Sequence, residues 1–226
     1  MNNLFQSNNN EIERIASNKI FLVDKQGKKN LVSFVPGLKV EFNGCNAVVE
    51  IGADPLPKFR DCEIKCADNA YVKIGSSEYT FNNVAMIISM KNGKLVIGKN
   101  FYSTGVVRFL LVSEPNCSIT VGDDCLFSSN ITLRANDGHV VFDKKTKTVL
   151  NKPNSIEIGN HVWCGQNVYI LKNTKIKDNC IIGACSLVNK SYALKNSVIA
   201  GNPAKIVKQN VDWDIQTVSS YEEAMQ

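Results

Sequence analysis

Residues 155–190 read SIEIGNHVWCGQNVYILKNTKIKDNCIIGACSLVNK. Every sixth residue from Ile158 is apolar: Ile158, Cys164, Ile170, Ile176, Ile182 and Val188. Two positions earlier run Ile156, Val162, Val168, Thr174, Cys180 and Ser186, most of them small or β-branched. Gly, Asn, Asp and Lys fill the intervals. A helix repeats near 3.6 residues and a half-buried strand at two, so a period of six is neither. It is a hexapeptide repeat, the mark of a parallel β-helix. Six residues make one short strand and one turn, and three such units close a triangular coil. Each sixth side chain then points to the axis and stacks on its counterpart in the next coil, about 4.8 Å away. β-Branched residues favour the extended backbone and fill the interior. Gly and Asn tolerate the corners. The predicted class is therefore all-β, a parallel β-helix with three-sided coils.

Outward from this stretch, the chain has 226 residues, enough for one elongated domain. Its 44% hydrophobic content is that of a globular protein. No apolar run approaches the ~20 residues of a membrane span. The start, Met1-Asn2-Asn3-Leu4, lacks the basic and apolar regions of a signal peptide, so a cytoplasmic location is expected. Of the eight cysteines, Cys164 falls on an inward position and Cys180 two before another. Packed free thiols are expected rather than disulfides. A net charge of +5 without a dense basic stripe suits small anionic ligands better than nucleic acid.

Residues 1–40 carry no repeat and are expected to cap the open end of the coil. Within them, Asn8–Asn10 is placed to cap a short helix starting near Glu11, and Lys25–Asn30 reads as a turn between two strands. The β-helix is expected over 41–208. Its first part shows Ile51-Gly52, Ile74-Gly75, Ile97-Gly98 and Val121-Gly122, spaced by 23, 23 and 24 residues. A three-sided coil of hexapeptides needs 18, so each coil is expected to carry a bulge or loop of five or six extra residues. Val49, Val72, Leu95 and Ile119 precede these pairs as Ile156 precedes Ile158. The six-residue register returns at Val121, Phe127 and Leu133, then breaks until Ile156. A long loop, 134–155, is expected to project there, and such loops inside a compact repeat are usually functional. Residues 209–226 form a tail that is expected to lay Trp213 against the last coil and end in a short helix or a mobile segment.

Three motifs occur together: Asp137-Gly138-His139, then Ile158-Gly-Asn-His-Val-Trp163-Cys-Gly165, then Ala200-Gly201-Asn202-Pro203-Ala204. With them the chain resembles the left-handed β-helix (hexapeptide-repeat) acyltransferases. Among these it is most similar to the O-acetyltransferases of bacterial surface polysaccharides, sialic acid and polysialic acid capsules included. The likeness is strong over about 119–208 and weak before. It implies a left-handed coil, a homotrimer, acetyl-CoA as donor, a carbohydrate acceptor, and active sites between neighbouring subunits.

Acetyl transfer from a thioester to a sugar hydroxyl needs a general base, and a neutral imidazole supplies one near cellular pH. His139, in the projecting loop beside a Gly, is the candidate, and the resemblance carries the catalytic histidine onto it. Asp137 or Asp143 is placed to orient it, although both also read as turn residues. Trp163 precedes inward Cys164 and should face outward; by resemblance it lines the transfer site, and the alternative is packing at a trimer interface. His161, the second histidine, reads as a solvated corner residue. Cys164 reads as core rather than as a nucleophile. For the donor, backbone amides at Gly165 and Gly183-Ala184, with Ser186, are expected to hold the pantetheine arm. Lys190, Lys205 and Lys208 are expected to meet the phosphates, and Pro203, by resemblance, to wall the adenine. No metal is expected: the related γ-class carbonic anhydrases need three histidines, and this chain has two. Two other readings stay open at this point, N-acetylation of a nucleotide-linked amino sugar and a non-catalytic trimeric glycan-binding scaffold.

Overall fold

In the computed structural model, which describes residues 17–225, the chain winds into a three-sided parallel β-helix. Face 1 stacks Lys19–Val23, Val48–Gly52, Tyr71–Ile74, Lys94–Ile97, Ser118–Val121, Ile156–Ile158 and Lys175–Ile176. Face 2 runs through Lys58–Arg60, Thr80–Asn82, Tyr102–Ser103, Leu126–Phe127, Trp163–Cys164, Ile181–Ile182 and Ser197–Gly201. Face 3 stacks Leu38–Phe42, Cys62–Cys66, Val84–Ile88, Val107–Leu111, Ile131–Arg134, Tyr169–Leu171 and Leu187–Val188. Stacking therefore begins before residue 41, because Lys19–Val23 already pairs in parallel with Val48–Gly52. Lys29–Val32 folds back antiparallel on that first strand. The intervening turn is held by Asp24, whose carboxylate accepts from the Gln26 and Lys28 amides. The expected helix near Glu11 lies outside the described residues.

The register follows the apolar repeat. Val49, Val72, Leu95, Ile119 and Ile156 form one buried column, and Ile51, Ile74, Ile97, Val121, Ile158 and Ile176 the next. Corners are turned by residues at positive φ, mostly Asn and Asp, which reach that region at little steric cost. Their side chains bridge successive coils, as from Asn69 to Asn92 and from Asn92 to Asn116.

The extra residues of the 23- and 24-residue coils do not form the expected loops. They lengthen face 3 and its corner. Strands there carry three inward side chains, such as Val84, Met86 and Ile88 or Val107, Phe109 and Leu111. Later strands of the same face have two residues or three. The early coils are thus wider, and aromatic rings fill them. Phe81, Phe101, Phe109 and Phe127 are fully buried, with the Phe81–Phe101 and Phe101–Phe127 centroids 4.9 and 5.1 Å apart. Such pairs add about 0.5–1.5 kcal/mol each beyond the area they bury. All eight cysteines are free; Cys164 is fully buried on face 2.

At the C-terminal end, Ser197–Gly201 and Ala204–Gln209 form an antiparallel hairpin that closes face 2. The tail does not lie on the last coil. It turns back and sets Trp213 on the corner at His161, and a short helix, Val218–Ala224, capped by Thr217, follows. Among the described residues no helix is long and apolar enough to cross a membrane.

Candidate functional site

The projecting loop leaves face 3 after Arg134 and rejoins face 1 at Ile156. Its tip is a tight turn organised by Asp143, which accepts from the Lys145 and Thr146 amides and the Thr146 hydroxyl. The Thr146 amide, first, holds the Asp143 carboxyl below the usual carboxylate range. Its base is tied by Asn151, which donates to Asp137 at 2.9 Å and to the His139 carbonyl at 2.7 Å and accepts from the Val141 amide. Lys172, on the next coil, donates to the Asn151 carbonyl and pairs with Asp137 at 2.8 Å. That bond, ahead of the Asn151 contact, pulls the Asp137 carboxyl below its ordinary value. Both acids are therefore engaged elsewhere, and neither orients the His139 ring as anticipated. Arg134 reaches under the loop to the Asn136 carbonyl, and a Cβ on Gly138 would come within 2.9 Å of its guanidinium. Gly138 also holds φ +89°, so both space and backbone select glycine. His139 itself is exposed, and its imidazole has no hydrogen-bond or charge partner among the described residues.

The Asp137–Lys172 pair has a pH consequence. A carboxylate whose folded pKa is depressed contributes stability that is present above its unfolded value, about 3.9, and is lost as pH falls through the folded value. The loop anchor is thus intact at neutral pH and fails only in acid. Lys172→Met should loosen the loop already at neutral pH, seen as faster amide exchange over 137–152 with exchange in the coil unchanged.

Trp163 is 39% exposed on face 2, one coil from Leu126, its parallel partner. Its outward direction follows from the inward register of Cys164. Burial pushes the Cys164 thiol well above its ordinary value, so it is no nucleophile. His139 and Trp163 are not in contact within one chain: the histidine stands off the corner between faces 3 and 1, the tryptophan on face 2. They belong to neighbouring turns of the helix, since the strand Leu126–Phe127, of the coil that ends in the loop, pairs directly with Trp163–Cys164 of the next coil.

Around the corner between faces 2 and 3, two expectations need correction. The amides of Gly165 and Gly183 donate to Ile182 and Ile199 carbonyls in the coil ladder and are not free for a ligand. Ser186 is buried; its hydroxyl donates to the Gly183 carbonyl and accepts from the Gly201 amide. The glycines are there for stacking instead: a Cβ on Gly165 would meet Ala184 at 2.8 Å, and one on Gly183 would meet Ala200 at 2.8 Å. Only the Ala184 amide of this set makes no hydrogen bond among the described residues. Lys205, Lys208 and Pro203 are exposed on the terminal hairpin. Lys190 lies 5.7 Å above the ring of Tyr192, whose hydroxyl donates to the Ala204 carbonyl. Lys190 and Lys205 therefore share one end of the molecule.

His161 is not a solvated corner. Its ring stacks on Trp213 at 4.4 Å and 9°. The Trp213 indole N–H donates to the His161 carbonyl at 2.9 Å, and His161 Nε2 lies 3.0 Å from the Trp213 carbonyl and 3.3 Å from Asp212. Trp213 in turn lies 6.1 Å from the Trp163 ring. Periodicity gives no sign of this clasp, which joins residues 52 apart in sequence.

Comparison with known proteins agrees with this architecture. The family model described as "Bacterial transferase hexapeptide (six repeats)" matches residues 155–190. A probable macrolide acetyltransferase of Lysinibacillus sphaericus is 32% identical over 59% of this chain and 70% of its own length. The chain belongs to the hexapeptide-repeat acyltransferase family. Its coil is left-handed, as in that family. A polysialic acid O-acetyltransferase of Escherichia coli O1:K1 / APEC is 35% identical over 56% of this chain and 40% of the relative. The chain spans about half the length of the relatives it matches first. The crystal structure of the polySia specific acetyltransferase NeuO superposes with a TM-score of 0.68 at 26% identity, over 92% of both chains.

Proposed function

We propose that this acyltransferase moves the acetyl group of acetyl-CoA to a hydroxyl of a surface-polysaccharide sugar. The observation that carries the reading is the exposed His139 imidazole, without a hydrogen-bond partner among the described residues, on a loop fixed at its base, with an outward-facing Trp163 on the next coil. The polysaccharide acceptor is supported by the names of the 35% identical relative and of NeuO, both polysialic acid enzymes.

In this reading, His139 accepts the proton of the sugar hydroxyl as its oxygen attacks the thioester carbonyl. The new C–O bond replaces the C–S bond, and the imidazolium returns its proton to the departing thiolate. Trp163 donates its indole N–H at the reacting end and offers its face to the thioester arm. The Ala184 amide takes one pantetheine carbonyl, and Lys190 and Lys205 face the phosphates. The two central groups lie apart on one chain, and a three-fold assembly joins them by setting one subunit's loop against face 2 of its neighbour.

The test is an acetyl-CoA assay over a panel of glycans and nucleotide amino sugars, with the product mapped by NMR. O-Acetyl product on a glycan supports the proposal. Product only on an amine would move it to amino-sugar N-acetylation. Absence of coenzyme A binding would leave a scaffold.

A further inference from the structure

Beside Trp163, a cleft of about 210 Å³ opens along the corner between faces 1 and 2. Its walls are Tyr79, Tyr102, Leu126 and the tail residue Trp213, with the carboxylates of Asp124 and Asp214 at its margin. Tyr79 and Tyr102 lie with centroids 5.4 Å apart and 30° between planes. Trp213 lines the same cleft, stacked on His161 and 6.1 Å from Trp163. Leu126 is the coil partner of Trp163, so the cleft is continuous with the ground next to the proposed transfer site.

We infer that this cleft binds one uncharged sugar ring of the acceptor glycan and selects against acidic sugars. Flat aromatic faces bind the apolar face of a pyranose, and the phenol hydroxyls of Tyr79 and Tyr102 supply polar contacts. The cleft is smaller than the range of about 300–1,000 Å³ for drug-sized ligands, which suits a single ring. Asp124 accepts from the Asn100 amide at 2.9 Å and keeps acceptor capacity for sugar hydroxyls. Among the described residues no Lys or Arg lines the cleft. The one imidazole present, His161, is engaged by the Trp213 carbonyl and Asp212. A sugar carboxylate would therefore meet two carboxylates with no Lys or Arg to offset them, and like charges juxtaposed at an interface are strongly discriminated against. The inference deepens the proposed reading and rests on it for the identity of the ligand as acceptor. It also separates this chain from its polysialic acid relatives.

The chain's two tryptophans, Trp163 and Trp213, both lie at this place, so their fluorescence reports binding. In the full chain at about 0.15 M salt, where surface charges are screened beyond about 8 Å, titration with chitooligosaccharide and with a galactan oligomer should give saturable change for at least one. Tyr102→Ala should weaken it by about ten-fold, one aromatic face lost. An α2,8-linked sialic acid oligomer should bind about ten-fold more weakly, and Asp124→Asn with Asp214→Asn should close that gap. Equal or tighter binding of the sialic acid oligomer to the unaltered chain overturns the inference. So does the absence of saturable binding by both uncharged glycans, or binding that Tyr102→Ala leaves unchanged. If uncharged glycan binds through Tyr102 and no acetyl is transferred, the transfer reading fails while the cleft assignment stands.

Discussion

His139→Ala should reduce acetyl transfer by about 10²–10⁴-fold, the range for losing a positioned general base. Coenzyme A affinity and thermal stability should stay near those of the unaltered protein. The structural ground is that the His139 imidazole makes no hydrogen bond or ion pair among the described residues. The loop is held instead by Asn151 and Lys172, which grip the His139 carbonyl, the Asp137 carboxylate and the Asn151 backbone. Removing the ring leaves those bonds in place. Turnover within a few-fold of normal would show that the base lies elsewhere. A fall in turnover matched by unfolding would point to a structural histidine.

Trp163→Ala should slow transfer by about 10²-fold, the scale for losing one preorganised donor. Two variants separate its roles. Trp163→Phe keeps a ring against Trp213 and Leu126 but removes the N–H. If donation matters, the phenylalanine variant is nearly as slow as the alanine one, with assembly intact. If the indole only packs, the phenylalanine variant recovers the rate and the alanine variant weakens the proposed trimer in sedimentation.

The fold was legible because a stacked coil forces the same position to the axis in each turn. Ile158, Ile176 and their counterparts back to Ile51 show this without any tertiary information. The longer spacing of the early coils was legible as well, but not its use. Five added residues fit either a loop or a longer strand, and only packing against Phe81, Phe101, Phe109 and Phe127 selects the wider coil. The place of the projecting loop could be read from the break in register after Leu133. Its anchoring could not, since Lys172 and Asn151 look like ordinary surface residues. The Gly165 and Gly183 amides misled for a related reason. A Gly at a corner signals room, and here the next coil occupies that room. The tail was the least legible: a single aromatic, Trp213, docks on His161 by a contact that no periodicity encodes.

In the proposed trimer, one site takes His139 from one subunit and Trp163 from its neighbour. Coexpression of the His139→Ala and Trp163→Ala chains decides whether the site is shared. In a randomly mixed cyclic trimer about a quarter of the sites would then hold both intact groups. Mixed trimers should recover roughly that fraction of normal turnover, although each variant alone is nearly inactive. Mixed trimers no more active than the separate variants would contradict the shared site.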